Sequence, residues 1–187
     1  IENSRLNNFE NLVISNYAVS DVSNKEYSFF GDAGGGTVIK DNPGYETTKP
    51  SGKVFSVSLD DYFSKKAVGK LKLIKIDVEG CEYFVLKGMR KLIKDNPETI
   101  VTFELNKDAM EAAGYTIRDI LDELKNMGLD TLYDITHPTV INKIGSLDLL
   151  RDFENMEASF KQRNNGHQLI EVLAMTYETS KIYDFLS

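Results

Sequence analysis

The sequence predicts an α/β protein built on a mostly parallel sheet. Three observations carry that expectation. Short apolar runs suited to buried strands alternate with amphipathic helical segments along the 187 residues. The run Leu71–Val78 is apolar on both sides of its first half, as a strand covered on both faces must be. Helix caps and turn residues fall between the runs, where the chain has to reverse.

Taken in order, residues 1–8 are the tail of a helix ending near Asn7 and Asn8. Leu12–Ser15 is a short buried strand, followed by Asn16-Tyr17-Ala18-Val19-Ser20-Asp21. Residues 25–57 are rich in Gly, Thr, Ser, Lys and Tyr and form a loop or hairpin excursion, with β-like stretches at Tyr27–Phe30, Thr37–Ile39 and Val54–Val57. Ser58 with Asp61 three residues on opens a short helix through Tyr62 and Phe63. The strand Leu71–Val78 stops at Gly80. A helix from about Glu82 to Lys94 follows, with Val85, Met89, Leu92 and Ile93 as its apolar stripe and Pro97 just beyond its end. Thr99–Leu105 is the next strand, and Leu71–Val78 is expected to be a central strand parallel to both Thr99–Leu105 and Leu12–Ser15.

The helix Thr116–Met127 carries the clearest signals: a Thr116/Asp119 capping box, a Tyr115 to Ile120 staple and Gly128 as its stop. Strands follow at Thr131–Ile135 and Leu169–Thr176, separated by a polar, partly helical insertion over residues 137–168. No repeat or linker divides the chain, so residues 1–187 are expected to form a single domain.

Bulk properties exclude several classes. The net charge is −7 and no basic stripe with interleaved aromatics occurs, so nucleic acid is not expected as a partner. No apolar run approaches the roughly 20 residues of a membrane span. The single cysteine, Cys81, rules out an internal disulfide and a multi-thiolate metal site, and fits a cytoplasmic location.

The chemistry is expected at the end of Leu71–Glu79. One side of that run stays apolar through Ile74, Ile76 and Val78; the other turns into Lys75, Asp77 and Glu79. Open α/β sheets bind ligands at the carboxyl edge of their strands. Two carboxylates and an ammonium are costly to bury there unless they pair or meet a ligand. The plainer alternative is that Lys75 pairs with Asp77, while Glu79 and Glu82 favour the start of the following helix. Glu104 repeats the pattern near the end of the next strand, with Asn106 just beyond it. His137 follows a later strand end, as a base, a substrate contact or an ordinary loop residue. Cys81 sits among Glu79 and Glu82, which raise a thiol pKa and disfavour a nucleophile.

Lys75-Ile76-Asp77-Val78-Glu79-Gly80-Cys81-Glu82, followed by Leu86-Lys87-Gly88, resembles the signature of the FkbM-like methyltransferases. Asn16–Asp21, Ser58-Leu59-Asp60-Asp61 and Ile100–Glu104 resemble further elements of that family, so the likeness spans roughly residues 1 to 135. The resemblance implies a Rossmann-like class I methyltransferase fold, a twisted sheet with helices on both faces, and S-adenosylmethionine as cofactor. It implies methylation of a hydroxyl on a sugar, glycan or natural-product acceptor. The family's glycine-rich cofactor loop has no counterpart here. The cluster Gly31–Gly36 is not followed by a helix, and is either a flexible loop or a substrate lid. The chain is therefore expected to begin in the helix after the fold's second strand and to bind the cofactor weakly or not at all.

On that reading Asn16, Ala18, Asp21 and Asp77 are the cofactor residues. Asp77 or Glu79 is the general base, positioned by Lys75 and assisted by Glu104, and Glu82, Asn106 and His137 contact the acceptor. Two alternatives stay open. A divalent metal held by Asp77, Glu79 and Glu104 would lower the hydroxyl's pKa instead. Alternatively, the chain is a non-catalytic remnant that keeps the core without a complete cofactor site.

Overall fold

The computed structural model describes residues 6–7, 9–32, 35–40, 42, 49–66, 69–137, 139–154 and 169–182. Two sheets and seven helices are found among them. The first sheet holds β1 (Ala18–Val19), β2 (Glu26–Asp32), β3 (Gly35–Thr37) and β4 (Gly52–Val57), in the order β1-β4-β2-β3. β1 runs parallel to β4, and β2 is antiparallel to both β4 and β3. The described part of the excursion thus forms a sheet. Two of its glycines are required by close approach: a Cβ on Gly31 would sit 2.3 Å from the Gly35 carbonyl oxygen, and one on Gly36 would sit 2.2 Å from the Phe29 ring. Both glycines lie in the antiparallel β2/β3 pair, where the sequence allowed a flexible loop or a lid.

The second sheet has the order β5-β6-β9-β7-β8, from β5 (Leu73–Ile76), β6 (Ile100–Asn106), β7 (Thr131–Asp134), β8 (Asn142–Ile144) and β9 (Leu169–Met175). β5 and β6 are parallel, with Ile74 beside Val101 and Ile76 beside Phe103. The other three pairings are antiparallel. This corrects the expectation of a mostly parallel sheet. After the insertion the chain returns as β9 between β6 and β7, running against both, and β8 adds an antiparallel edge. Leu12–Ser15 is a second correction. It belongs to neither sheet, and Leu12, Val13 and Ile14 are 51%, 79% and 53% exposed. β5 is accordingly an edge strand among the described residues.

The strands alternate cleanly. Val101, Phe103 and Leu105 of β6 and Ile170, Val172 and Ala174 of β9 point to one face and are buried. Against that face pack α2 (Glu82–Lys87) through Val85 and Leu86 and α5 (Ile117–Asn126) through Ile120 and Leu124. Caps fix the helix starts where the sequence places them. Ser58 accepts from the Asp61 N–H ahead of α1 (Leu59–Ser64), and Thr116 with Asp119 forms the capping box of α5.

The helix expected over Glu82–Lys94 is two helices, α2 and α3 (Arg90–Asp95), broken at Gly88 and Met89. Gly88 packs directly on the backbone after β1: a Cβ there would lie 2.2 Å from the Ser20 carbonyl oxygen. The Asp60 N–H donates to the Gly88 carbonyl at 2.8 Å, and the Asp60 carboxylate accepts from Lys91 and Leu92 N–H at 3.1 and 2.7 Å, capping α3. α4 (Lys107–Ala113) follows β6 directly. Its signals are local: Asn106 as its cap, Asp108 in the first turn and a left-handed Gly114 at its end. The insertion supplies β8 and α6 (Ser146–Glu154), and α7 (Tyr177–Ile182) follows β9. Residues 155–168 of the insertion, and residues 1–5 and 8 of the expected N-terminal helix, lie outside the described residues. No described helix is long and apolar enough to cross a membrane.

Gly88→Ala should therefore destabilise the protein by about 1–3 kcal/mol, the usual effect of forcing a methyl into a filled site. Urea denaturation followed by circular dichroism checks this; an unchanged midpoint would show that the Ser20 contact gives way freely.

Candidate active site

The site grows from the end of β5. Lys75 donates to Asp77 at 2.6 Å, so the predicted pairing forms; both side chains are more than half exposed and the pair orients more than it stabilises. Beyond Asp77 the strand alternation breaks. Glu79 has φ +52° and Gly80 φ +95°, two successive left-handed residues that turn the chain into α2. For a glutamate that conformation costs on the order of 1–3 kcal/mol and persists only where its surroundings hold it. Gly80 has a steric requirement as well: a Cβ there would stand 3.0 Å from both the Ala109 methyl and its carbonyl oxygen, against α4.

Three side chains hold this turn. The Glu82 carboxylate, 3% exposed, accepts from the Val78 N–H at 3.2 Å, the Gly80 N–H at 3.1 Å and the Tyr115 hydroxyl at 3.2 Å. Thr37 Oγ1 and Asn42 Nδ2, from the excursion, both donate to the Glu79 carbonyl, at 2.9 and 2.8 Å. Burial pushes the Glu82 carboxyl up from 4.5 to about 7, against the hydrogen bonds it accepts. Burial, with the Glu82 charge beside it, pushes the Cys81 thiol up to about 12, so this cysteine is no nucleophile. Both effects also raise Tyr115, burial most. Glu82 therefore faces inward, with its carboxylate engaged by the turn and by Tyr115, where the sequence suggested a contact to the acceptor.

On the polar face of the sheet, Glu104 of β6 stands directly across from Glu171 of β9. Opposed like charges weaken a sheet, so a structural reason for the pair is lacking. Glu104 is half-buried; burial first, then the charges of Glu79, Asp77 and Glu171, raise its carboxyl above the ordinary range. Glu171 escaped sequence reasoning. Its signal was there, as the one acid in the apolar run Leu169–Met175, on the face that faces away from the core.

Asn16, Ala18 and Asp77 line one cavity of about 360 Å³, with Tyr17, Val19, Phe29, Thr37, Val78 and Cys81 among its other walls. That volume and its mixed lining fall within the range of small-molecule sites. Asp21 lies in a neighbouring cavity of about 490 Å³, which shares Ala18, Val19, Val38 and Cys81 with the first. Burial raises the Asp21 carboxyl, but the Lys87 ammonium at 2.9 Å outweighs it and the net shift is downward. Asn106 caps α4 by accepting from the Ala109 N–H at 3.2 Å. His137 is exposed just past β7, on the same sheet edge as Asp77 and Glu104 but separated from β6 by β9. Its Nδ1 meets Thr139 Oγ1 at 3.1 Å. Among the described residues no three His, Cys, Asp or Glu side chains are grouped to hold a metal ion.

A cavity beside a carboxylate-lined strand edge, reached through the Asp-Val-Glu-Gly turn, is where the comparison with known families decides. The family model described as "Methyltransferase FkbM domain" matches residues 3–130, more than half of the chain. The chain belongs to the FkbM methyltransferase family. No curated protein and no solved structure matches it. For this FkbM-family protein the match covers the whole of the turn, the excursion that holds it, and both β5 and β6.

The Glu82 environment has a measurable consequence. A carboxyl raised in the folded state keeps its proton to higher pH than in the unfolded chain. The folded state is therefore favoured below about pH 4.5 and loses that advantage as pH rises to about 7, with no further change above. Glu82→Gln should flatten this decline, by at most about 3 kcal/mol between pH 4.5 and 7. Glu104 is raised too and shares the direction, so a residual slope remains in the variant. Denaturation midpoints of parent and variant across that range test it; parallel curves would mean that Glu82 is ionised throughout.

Proposed function

We propose that this FkbM-family protein is an S-adenosylmethionine-dependent methyltransferase acting on a hydroxyl of a sugar, glycan or natural-product acceptor. The observation that carries the reading is Asp77, which lines the cavity walled by Asn16 and Ala18 and whose charge, with that of Glu79, reaches the half-buried Glu104. S-adenosylmethionine, when bound, supplies a methyl group on a positively charged sulfur. What the protein must add is alignment of the acceptor oxygen and a place for its proton.

The residues fit those tasks. Tyr17, Val19 and Phe29 give the 360 Å³ cavity apolar walls suited to the adenine, and Asn16 and Asp77 give it polar ends. Asp77 is oriented by Lys75, and its charge favours a cationic group next to it. Asp77 or Glu79 takes the hydroxyl proton in this reading, and Glu104 assists. Burial and the neighbouring carboxylates raise the proton affinity of Glu104, which suits it to assist in taking up that proton. Asp21, turned to the second cavity and paired with Lys87, fits that cavity's rim better than the cofactor. The second cavity, across the Ala18, Val19, Val38 and Cys81 partition, is the place for the acceptor in this reading.

Adding S-adenosylmethionine to the ¹⁵N-labelled protein should shift amide signals of residues 16–19 and 77–81, even where binding is weak and exchange is fast. In an assay of radiolabelled methyl transfer to a panel of glycosides and phenols, Asp77→Asn or Glu79→Gln should lower turnover by about 10²–10⁴-fold with little effect on folding. Shifts confined to other parts of the chain would displace the cofactor from this cavity. Parent-like turnover in both variants and in Glu104→Gln would take the carboxylates out of the chemistry.

A further inference from the structure

The left-handed Glu79 raises a question that its neighbour sharpens. Gly80 adopts φ +95° with no penalty, and a glycine at position 79 would accept φ +52° as readily. A glutamate stands there instead, so its side chain is kept at a backbone cost. Such a conformation survives where the environment over-determines it.

Here the environment is the excursion. Thr37 and Asn42 are 2% and 4% exposed, and both spend a side-chain donor on the one carbonyl of Glu79. They arrive from 42 and 37 positions earlier in the chain. Thr37 Oγ1 also accepts from the Ile39 N–H at 3.1 Å, which fixes the hydroxyl's direction. On the other side of the same peptide, Glu82 holds the Gly80 N–H. The Glu79–Gly80 peptide unit is therefore gripped at its oxygen by the excursion and at its nitrogen by α2. Loss of these grips would release the left-handed turn in which Glu79 sits.

We propose that Thr37 and Asn42 are positioning residues of the active site, which clamp the Glu79 carbonyl and so hold in place the turn that carries the Asp77 and Glu79 carboxylates. The proposal rests on the methyl-transfer reading only for what those carboxylates do. It makes the small sheet of the excursion part of the catalytic framework, since Thr37 both ends β3 and lines the cavity.

The test needs no acceptor. Amide hydrogen exchange at Val78 and Gly80 reports the grip on the turn, and a ¹³C carboxyl titration of Glu104 reports where the Glu79 charge lies. Glu104 faces Lys75, Asp77, Glu79 and Glu171, and of these charges Glu79 raises it most. Thr37→Val, which keeps the shape and removes the hydroxyl, and Asn42→Ala should each speed exchange at Val78 and Gly80 by about tenfold or more. In both variants the Glu104 midpoint should fall toward that of an ordinary glutamate. Thr37→Ser, which keeps the hydroxyl, should match the parent in both measurements. A lowered thermal midpoint with exchange and Glu104 titration unchanged would overturn the proposal, because the two residues would then be ordinary packing. Should Asn42→Ala not fold, the Thr37→Val and Thr37→Ser comparison decides alone. Absence of any amide shift in the parent on adding S-adenosylmethionine would sink the methyl-transfer reading without touching these results, which involve no ligand.

Discussion

The Glu82 carboxylate closes a turn that neither sheet nor helix can satisfy on its own. β5 has ended at Ile76 and α2 begins only at Glu82, so the amides between them have no regular partners. Glu82 takes two of them, Val78 and Gly80, and anchors itself on the Tyr115 hydroxyl ahead of α5. Tyr115 in turn stacks on Tyr83 of α2 with ring centroids 5.3 Å apart. One buried acid thus ties the end of β5, the start of α2 and the approach to α5 together. An uncompensated loss of those acceptors would leave buried N–H groups unpaired, at about 1–3 kcal/mol each. The geometry of Asp77 and Glu79 depends on this tie.

Electrostatics then separates the two faces of the larger sheet. One face is closed by aliphatic packing of β6 and β9 against α2 and α5. The other carries Lys75, Asp77, Glu104 and Glu171 close to the strand ends, above a small cluster of Tyr133 and Met175. Folding alone would not favour Glu104 opposite Glu171. Burial and repulsion together raise the proton affinity of Glu104 above that of a free glutamate.

The helix pair α2 and α3 shows how packing overrides a local pattern. Val85, Met89, Leu92 and Ile93 keep one helical period across Gly88, and all four are buried. The break between them comes from Gly88 pressing on Ser20 and from Asp60 capping α3. The β1 end and α1 are held against the site by that same contact.

Much was legible in the residues themselves. The alternation of Leu71–Glu79 announces a strand with one polar side, Thr116 and Asp119 announce a helix start, and the Lys75–Glu82 motif announces the family. All of these are local, set by side-chain period and by neighbours a few positions away. Asn106, Asp108 and Gly114 marked α4 in the same local way and went unread. What only the tertiary structure decided is non-local. It seats β9 antiparallel between β6 and β7, leaves Leu12–Ser15 outside both sheets and breaks the helix at Gly88. It also sets Glu171 against Glu104 and brings Thr37 and Asn42 onto Glu79. Each depends on which distant segments share a register or a contact. A period of two or of 3.6 fixes the face a side chain lies on, and says nothing of the partner that face will meet.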